Sequence, residues 1–123
     1  MRRADVEAAL RPELTRDQLK ALWLHRAVAG RLVADPDGGL AKAAANLHRL
    51  RQLHRGTMAE LWLDRWRVTM DDGIEAVLNV LTSRDAYAVE LRQNSPFAGV
   101  LPDAERRAVL TAFTARGWDR QAE

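Results

Sequence analysis

Helical spacing of apolar residues is the feature that most restricts how this chain can fold. Leucines, valines, alanines and tryptophans recur every three or four positions through most of the 123 residues, which places them on one side of a helix. No segment alternates apolar and polar residues between hairpin turns, as half-buried strands do. The prediction is an all-α fold: one compact bundle of six or seven helices over residues 1–123, without a sheet and with 1–13 at its periphery.

Cap and turn residues predict where the helices begin and end. Thr15 and Thr57 each stand three residues before Gln or Glu, the pattern of a capping box at a helix start. Pro36 disfavours helical geometry in the residue before it, so the first long helix should end near Ala34. Gly56 is a natural end for the second.

Two long helices separated by Gly56 have predicted core faces, and shorter helices are expected around them. Asp37, Gly38 and Gly39 should complete the turn before the second long helix. Shorter helices are predicted at residues 2–11, 74–81, 83–93 and from 102 onward. The predicted core positions are Leu40, Ala43, Ala44, Leu47, Leu50 and His54 on the second long helix, and Met58, Leu61, Trp62, Trp66 and Met70 on the third.

Composition indicates a cytoplasmic protein. The chain has no cysteine, which excludes disulfides and suits a reducing compartment. No apolar run approaches the roughly 18 residues that a bilayer span needs, so no membrane partner is expected. The basic start of the chain is not followed by the apolar core of a signal peptide, so the mature protein is expected to be the whole chain.

The motifs of common catalytic and metal sites are missing from the sequence. Helical metal ligands stand three or four residues apart, whereas His48 and His54 are six apart and point to different faces. There is no nucleophile elbow and no phosphate-binding glycine loop. We therefore expect no metal, no cofactor and no enzymatic activity.

One pattern, Arg49 followed five residues later by His54, keeps a catalytic alternative open. It resembles the motif of helical HEPN ribonucleases, in which the arginine and the histidine act beside a scissile phosphate. Leu50 stands where those enzymes usually carry a polar residue, and an arginine-rich helix often produces the pattern by chance. The alternative is a small helical ribonuclease or RNA-binding toxin that uses Arg49 and His54.

Arginine dominates the basic residues and suggests a contact surface. Nineteen basic side chains include only two lysines, and the net charge is +2, so nucleic-acid binding is only weakly indicated. Arginine is enriched at protein interfaces because its fork binds carboxylates while its stem packs on apolar groups. The predicted partner-binding residues are Arg51, Arg55, Arg92, Gln93 and Asn94.

Residues 92–101 have two interpretations. In one, Phe97, Val100 and Leu101 fill the core while the polar residues before them tie down the backbone. In the other, the segment is a docking site. The predicted partner surface requires Arg51 and Arg92 to lie on the same side of the bundle, and an exposed Arg92 should matter far less for stability than Phe97.

Five segments, NLHRLRQLH, WLDRW, VLNVLTS, ELRQNSPFAGVL and ERRAVL, together resemble the helical regions linked to small helix-turn-helix antitoxins of actinobacteria. The resemblance covers about residues 20–118 and implies a regulatory module that binds a protein partner. In that family the region lies beside a DNA-binding domain, which this sequence does not evidently contain. The expectation is therefore partner binding without operator binding, with self-association left open.

Overall fold

The computed structural model of the protein describes residues 13–116, which form six helices and no strand. The all-α prediction is confirmed, and the helix predicted at residues 2–11 lies outside the described residues. The helices are α1 (Arg16–Ala34), α2 (Pro36–Leu53), α3 (Met58–Asp71), α4 (Ile74–Thr82), α5 (Ala86–Gln93) and α6 (Asp103–Ala115).

Helix α1 is the central element of the bundle and packs against α2, α4, α5 and α6. Its predicted capping box is confirmed, because Thr15 accepts a hydrogen bond from the Gln18 backbone N–H and the Gln18 side chain accepts one from the Thr15 N–H. Leu22 and Leu32 are fully buried along its length. This helix therefore carries the core face on which the other elements are arranged.

The predicted turn at residues 37–39 is wrong, since α2 begins at Pro36. Proline lacks an N–H and is tolerated in a first helical turn, where that group needs no partner. Asp35 caps the helix by accepting a hydrogen bond from the Gly38 N–H. Gly39 is required inside the helix, because a Cβ there would lie 2.3 Å from the Cδ2 atom of Leu32.

The predicted core face of α3 is wrong for its first turn. Met58 is 73% exposed and Leu61 is 47% exposed, whereas Leu63 and Trp66 are buried. The rotation of the helix is fixed by Trp66, whose indole N–H donates to the backbone oxygen of Leu91 in α5 at 2.7 Å. A buried indole needs such a partner, and this bond turns Met58 outward.

The connection between α2 and α3 also differs from expectation. His54 follows the last residue of α2 and is exposed. The prediction that it lies on the core face is therefore wrong. The predicted second capping box is not formed. The Thr57 hydroxyl donates to the His54 backbone oxygen, and Glu60 accepts from the Gly56 N–H. Gly56 has a positive φ of 82°, so the chain leaves α2 early and tightens into a turn.

The loop between α5 and α6 is inserted into the core, which confirms the core-plug interpretation. Phe97 is 3% exposed and Leu101 is 7% exposed. The Phe97 ring meets the Trp66 ring edge to face, with centroids 5.3 Å apart. Gly99 turns the backbone between these two apolar anchors at a φ of 80°.

Candidate functional site

Asn46 of α2 holds the inserted loop in place. Its Nδ2 atom donates to the backbone oxygens of Pro96 at 3.0 Å and Ala98 at 2.8 Å, and its Oδ1 atom accepts from Arg49 Nη2 at 3.1 Å. The side chain is buried, and buried carbonyls need donors of this kind. This role is not predicted above, although a polar residue before Leu47 on the core side of α2 is a signal for it.

Asn46→Ala is expected to lower the free energy of unfolding by about 1–3 kcal/mol, because two loop carbonyls lose their donor. Chemical denaturation measures the change. Gln52→Ala is the matched control, since Gln52 is an exposed amide on the same helix that hydrogen-bonds His48 at the surface, and it should be nearly neutral. Equal stability of the two variants would show that Asn46 does not secure the loop.

His25 of α1 forms a second tie to the loop. Its Nδ1 atom lies 2.6 Å from the Ala21 backbone oxygen and therefore carries the proton, which leaves Nε2 to accept from the Ser95 hydroxyl at 2.8 Å. The Phe97 N–H donates to the same hydroxyl oxygen at 3.2 Å. Burial is the main cause that lowers the pKa of His25 to about 4, which keeps the ring neutral at pH 7.

The pairing of Ser95 with His25 has the hydrogen bond of a nucleophile and its base, but its surroundings favour a structural role. A histidine with a pKa of about 4 is a weak base at neutral pH. The Phe97 N–H occupies the hydroxyl oxygen, and the group that orients the ring is a carbonyl of the same helix. The two residues stand 70 positions apart, so no local spacing could have paired them.

Arg92 lies inside the protein, so the prediction that it presents its guanidinium to a partner is wrong. Its side chain is 3% exposed. Its Nη1 atom donates to the backbone oxygens of Val80 at 2.8 Å and Ser83 at 2.6 Å, at the end of α4. Helix ends leave such carbonyls without internal partners. The small loss of stability expected for Arg92→Ala assumes an exposed side chain, and that assumption is wrong.

Arg51 also does not join the predicted surface as expected. Its Nη2 atom lies 3.0 Å from an Asp64 oxygen on α3, and it lines a cavity between α2 and α3 with Arg67 and Met70. Arg92 instead lines a cavity between α1 and α5. The predicted shared surface of Arg51 and Arg92 is not formed.

Two of the other predicted residues come together. Gln93 and Asn94 at the end of α5 line a cavity of about 290 Å³ with His54 and Leu50 of the α2 end. Arg55 is the next residue after His54 and is exposed. Two of the five predicted partner-binding residues, Gln93 and Asn94, therefore line one concave region, and Arg55 does not line it.

Large apolar side chains are exposed on both sides of the turn between α2 and α3. Leu53 is 70% exposed, Met58 73% and Leu61 47%. Arg55 lies between Leu53 and Met58 in sequence. Arg65 lies four residues after Leu61 and seven after Met58, on the same face of α3. Neither arginine forms an ion pair within residues 13–116. We call the set Leu53, Arg55, Met58, Leu61 and Arg65 the α2–α3 surface.

The ribonuclease motif is not assembled at one cavity in the described residues. Arg49 donates a hydrogen bond to Asn46, the residue that holds the loop carbonyls. His54 instead lines the cavity with Asn94. Arg49 is not among the residues that line that cavity. The ribonuclease alternative stays a prediction without a shared site for its two residues.

Within residues 13–116, no helix is both long and apolar enough to cross a bilayer. In the same part of the chain, no group of three or more His, Asp or Glu residues is placed to hold a metal ion.

A scan against protein-family models, a search of curated proteins and a search of solved structures each found no match to this chain.

Proposed function

We propose that the protein is a non-catalytic helical interaction module of the cytoplasm that binds a protein partner through the α2–α3 surface, in an antitoxin-like regulatory role. The observation that carries the proposal is the pair Leu53 and Met58, 70% and 73% exposed on either side of one turn. The regulatory role rests on the resemblance of the five sequence segments to antitoxin-associated regions.

The energetic argument favours contact over solvent exposure for these side chains. Complete burial of a leucine or methionine side chain contributes about 1.5–3 kcal/mol. Leu53, Met58 and Leu61 could therefore supply most of the free energy of a specific complex, in the way that a few residues dominate many interfaces.

Charge indicates the chemistry of the partner. Arg55 and Arg65 flank the apolar side chains and have no carboxylate partner within the described residues. A guanidinium at the rim of an interface selects carboxylates by complementarity and accelerates association. The partner that fits is an amphipathic segment whose apolar side is bordered by Asp or Glu, as in helix-in-groove recognition.

A photo-crosslinking amino acid at position 58 tests the proposal in cells that express the gene naturally. We expect a discrete product with one other protein, because Met58 is the most exposed apolar side chain of the α2–α3 surface. The matched control places the same group at position 33, where Val33 is 67% exposed on α1 and lies outside that surface. Identical products from both positions, or a product that joins two copies of this chain, would contradict a separate partner at this surface.

A further inference from the structure

Within residues 13–116, one edge of the Arg92 guanidinium has no hydrogen-bond partner. Nη1 uses both of its N–H groups on the carbonyls of Val80 and Ser83. Nε and Nη2 are buried and make no hydrogen bond to the described residues. These two nitrogens form the side of a guanidinium that binds two oxygens of one oxyanion in parallel. Leaving buried donors unpaired is costly, which makes this edge the least explained polar feature of the described residues.

The same side chain lines a cavity of about 340 Å³ between α1 and α5. The start of α1 lines this cavity with its cap residue Thr15 and with Asp17 and Gln18. Gln93 of α5 also lines it. The first turn of a long helix adds partial positive charge and free N–H groups. The buried arginine edge is an independent second feature that requires an acceptor.

The charges near the cavity favour an anion. Burial lowers the pKa of Arg92, Asp85 raises it, and the neighbouring positive charges of Arg26 and Arg84 lower it again. The Asp17 carboxylate points largely into solvent, with 88% of its side chain exposed, and lies 4.0 Å from Lys20 Nζ. Among the described residues, two arginines, Arg26 and Arg84, and one carboxylate, Asp85, act on the charge of Arg92.

We propose that this cavity binds a small oxyanion, a phosphate or a carboxylate group, held side-on by the Nε–H and Nη2–H groups of Arg92. Solvent hardly reaches the two nitrogens, so the ligand must displace a side chain that covers them. Gln93 is a long, flexible lining residue that can move and then donate through its amide, while the Gln18 side-chain oxygen stays bonded to the Thr15 N–H. The site is separate from the α2–α3 surface, and neither proposal depends on the other.

Nuclear magnetic resonance of the arginine Nε–H groups tests the site directly. Inorganic phosphate and acetate are titrated separately into ¹⁵N-labelled protein, with chloride at matched ionic strength as the reference. We expect the Arg92 Nε–H resonance to shift and saturate with phosphate or with acetate. The stronger of the two ligands tells whether the natural group is a phosphate or a carboxylate.

Two variants separate binding from folding. Arg92→Lys removes the Nε–H group and the bonds to α4, so it assigns the Arg92 resonance, and Ala21→Leu tests binding. Ala21 lines the cavity, and a leucine there should weaken binding about tenfold or more, or 1.4 kcal/mol, while the Arg92 resonance persists. Arg107→Lys is the control, since Arg107 is exposed and pairs with Asp103. An absent shift, an equal shift with chloride, or unchanged binding in Ala21→Leu would overturn the proposal.

Discussion

Phe97→Ala is expected to lower the free energy of unfolding by about 3–5 kcal/mol, the range for removing a buried phenylalanine ring. Phe97 is 3% exposed, and its ring packs against Trp66 with centroids 5.3 Å apart. The loop around it is fixed by Asn46 and Ser95. Because these ties prevent the backbone from collapsing into the space, most of the cavity should remain open.

Chemical denaturation of Phe97→Ala, Phe97→Leu and Met58→Ala measures this effect. Phe97→Leu retains much of the apolar volume and should lose less than the alanine variant. Met58→Ala is the control for loss of an exposed apolar side chain, because Met58 is 73% exposed, and should stay within about 0.5 kcal/mol of the parent. A Phe97→Ala protein as stable as the parent would mean that the loop does not support the core.

Acidification from pH 7 to pH 4 is expected to remove about 3 kcal/mol of stability through His25 alone. The pKa of His25 is lowered from 6.5 to about 4, chiefly by burial. Unfolded chains therefore take up a proton near pH 6.5, whereas folded chains resist until about pH 4. The contribution is complete above pH 6.5 and is lost as the pH falls through that window.

The measurement compares the parent with His25→Gln at several pH values. The carboxyls of Asp85 and Glu105 also have lowered pKa values, owing first to Ser83 and to Arg31 respectively. Their loss of stability at low pH is common to both proteins, so the difference between parent and variant isolates His25. Parallel stability curves between pH 4 and pH 6.5 would contradict a buried neutral histidine.

The sequence was sufficient for the fold class because the apolar spacing and the cap residues act locally. The Thr15 capping box and the end of α1 at Ala34 follow from neighbouring residues, and both are confirmed. The outward turn of Met58 could not be predicted in that way. It depends on a hydrogen bond between Trp66 and Leu91, which are 25 positions apart. The spacing of residues within α3 does not indicate that bond.

The candidate site was only partly predictable for the same physical reason. Gln93 and Asn94 line one cavity with His54, the residue before Arg55, and the role of these residues in partner binding stays a prediction. Arg92 was misjudged because its burial is decided by the carbonyls of Val80 and Ser83. The packing of α4 against α5 brings the end of α4 to Arg92, and no local pattern encodes that packing.

Calorimetric titration of the crosslinked partner against two variants tests the central claim, that the protein acts through the α2–α3 surface. Leu53→Ser combined with Met58→Ser should weaken binding at least about tenfold, a loss of 1.4 kcal/mol or more, because both exposed side chains would be buried in the complex. Val33→Ser, an equally exposed apolar site on α1, should bind as the parent does. Undiminished affinity of the double variant, or an equal loss in Val33→Ser, would contradict the claim.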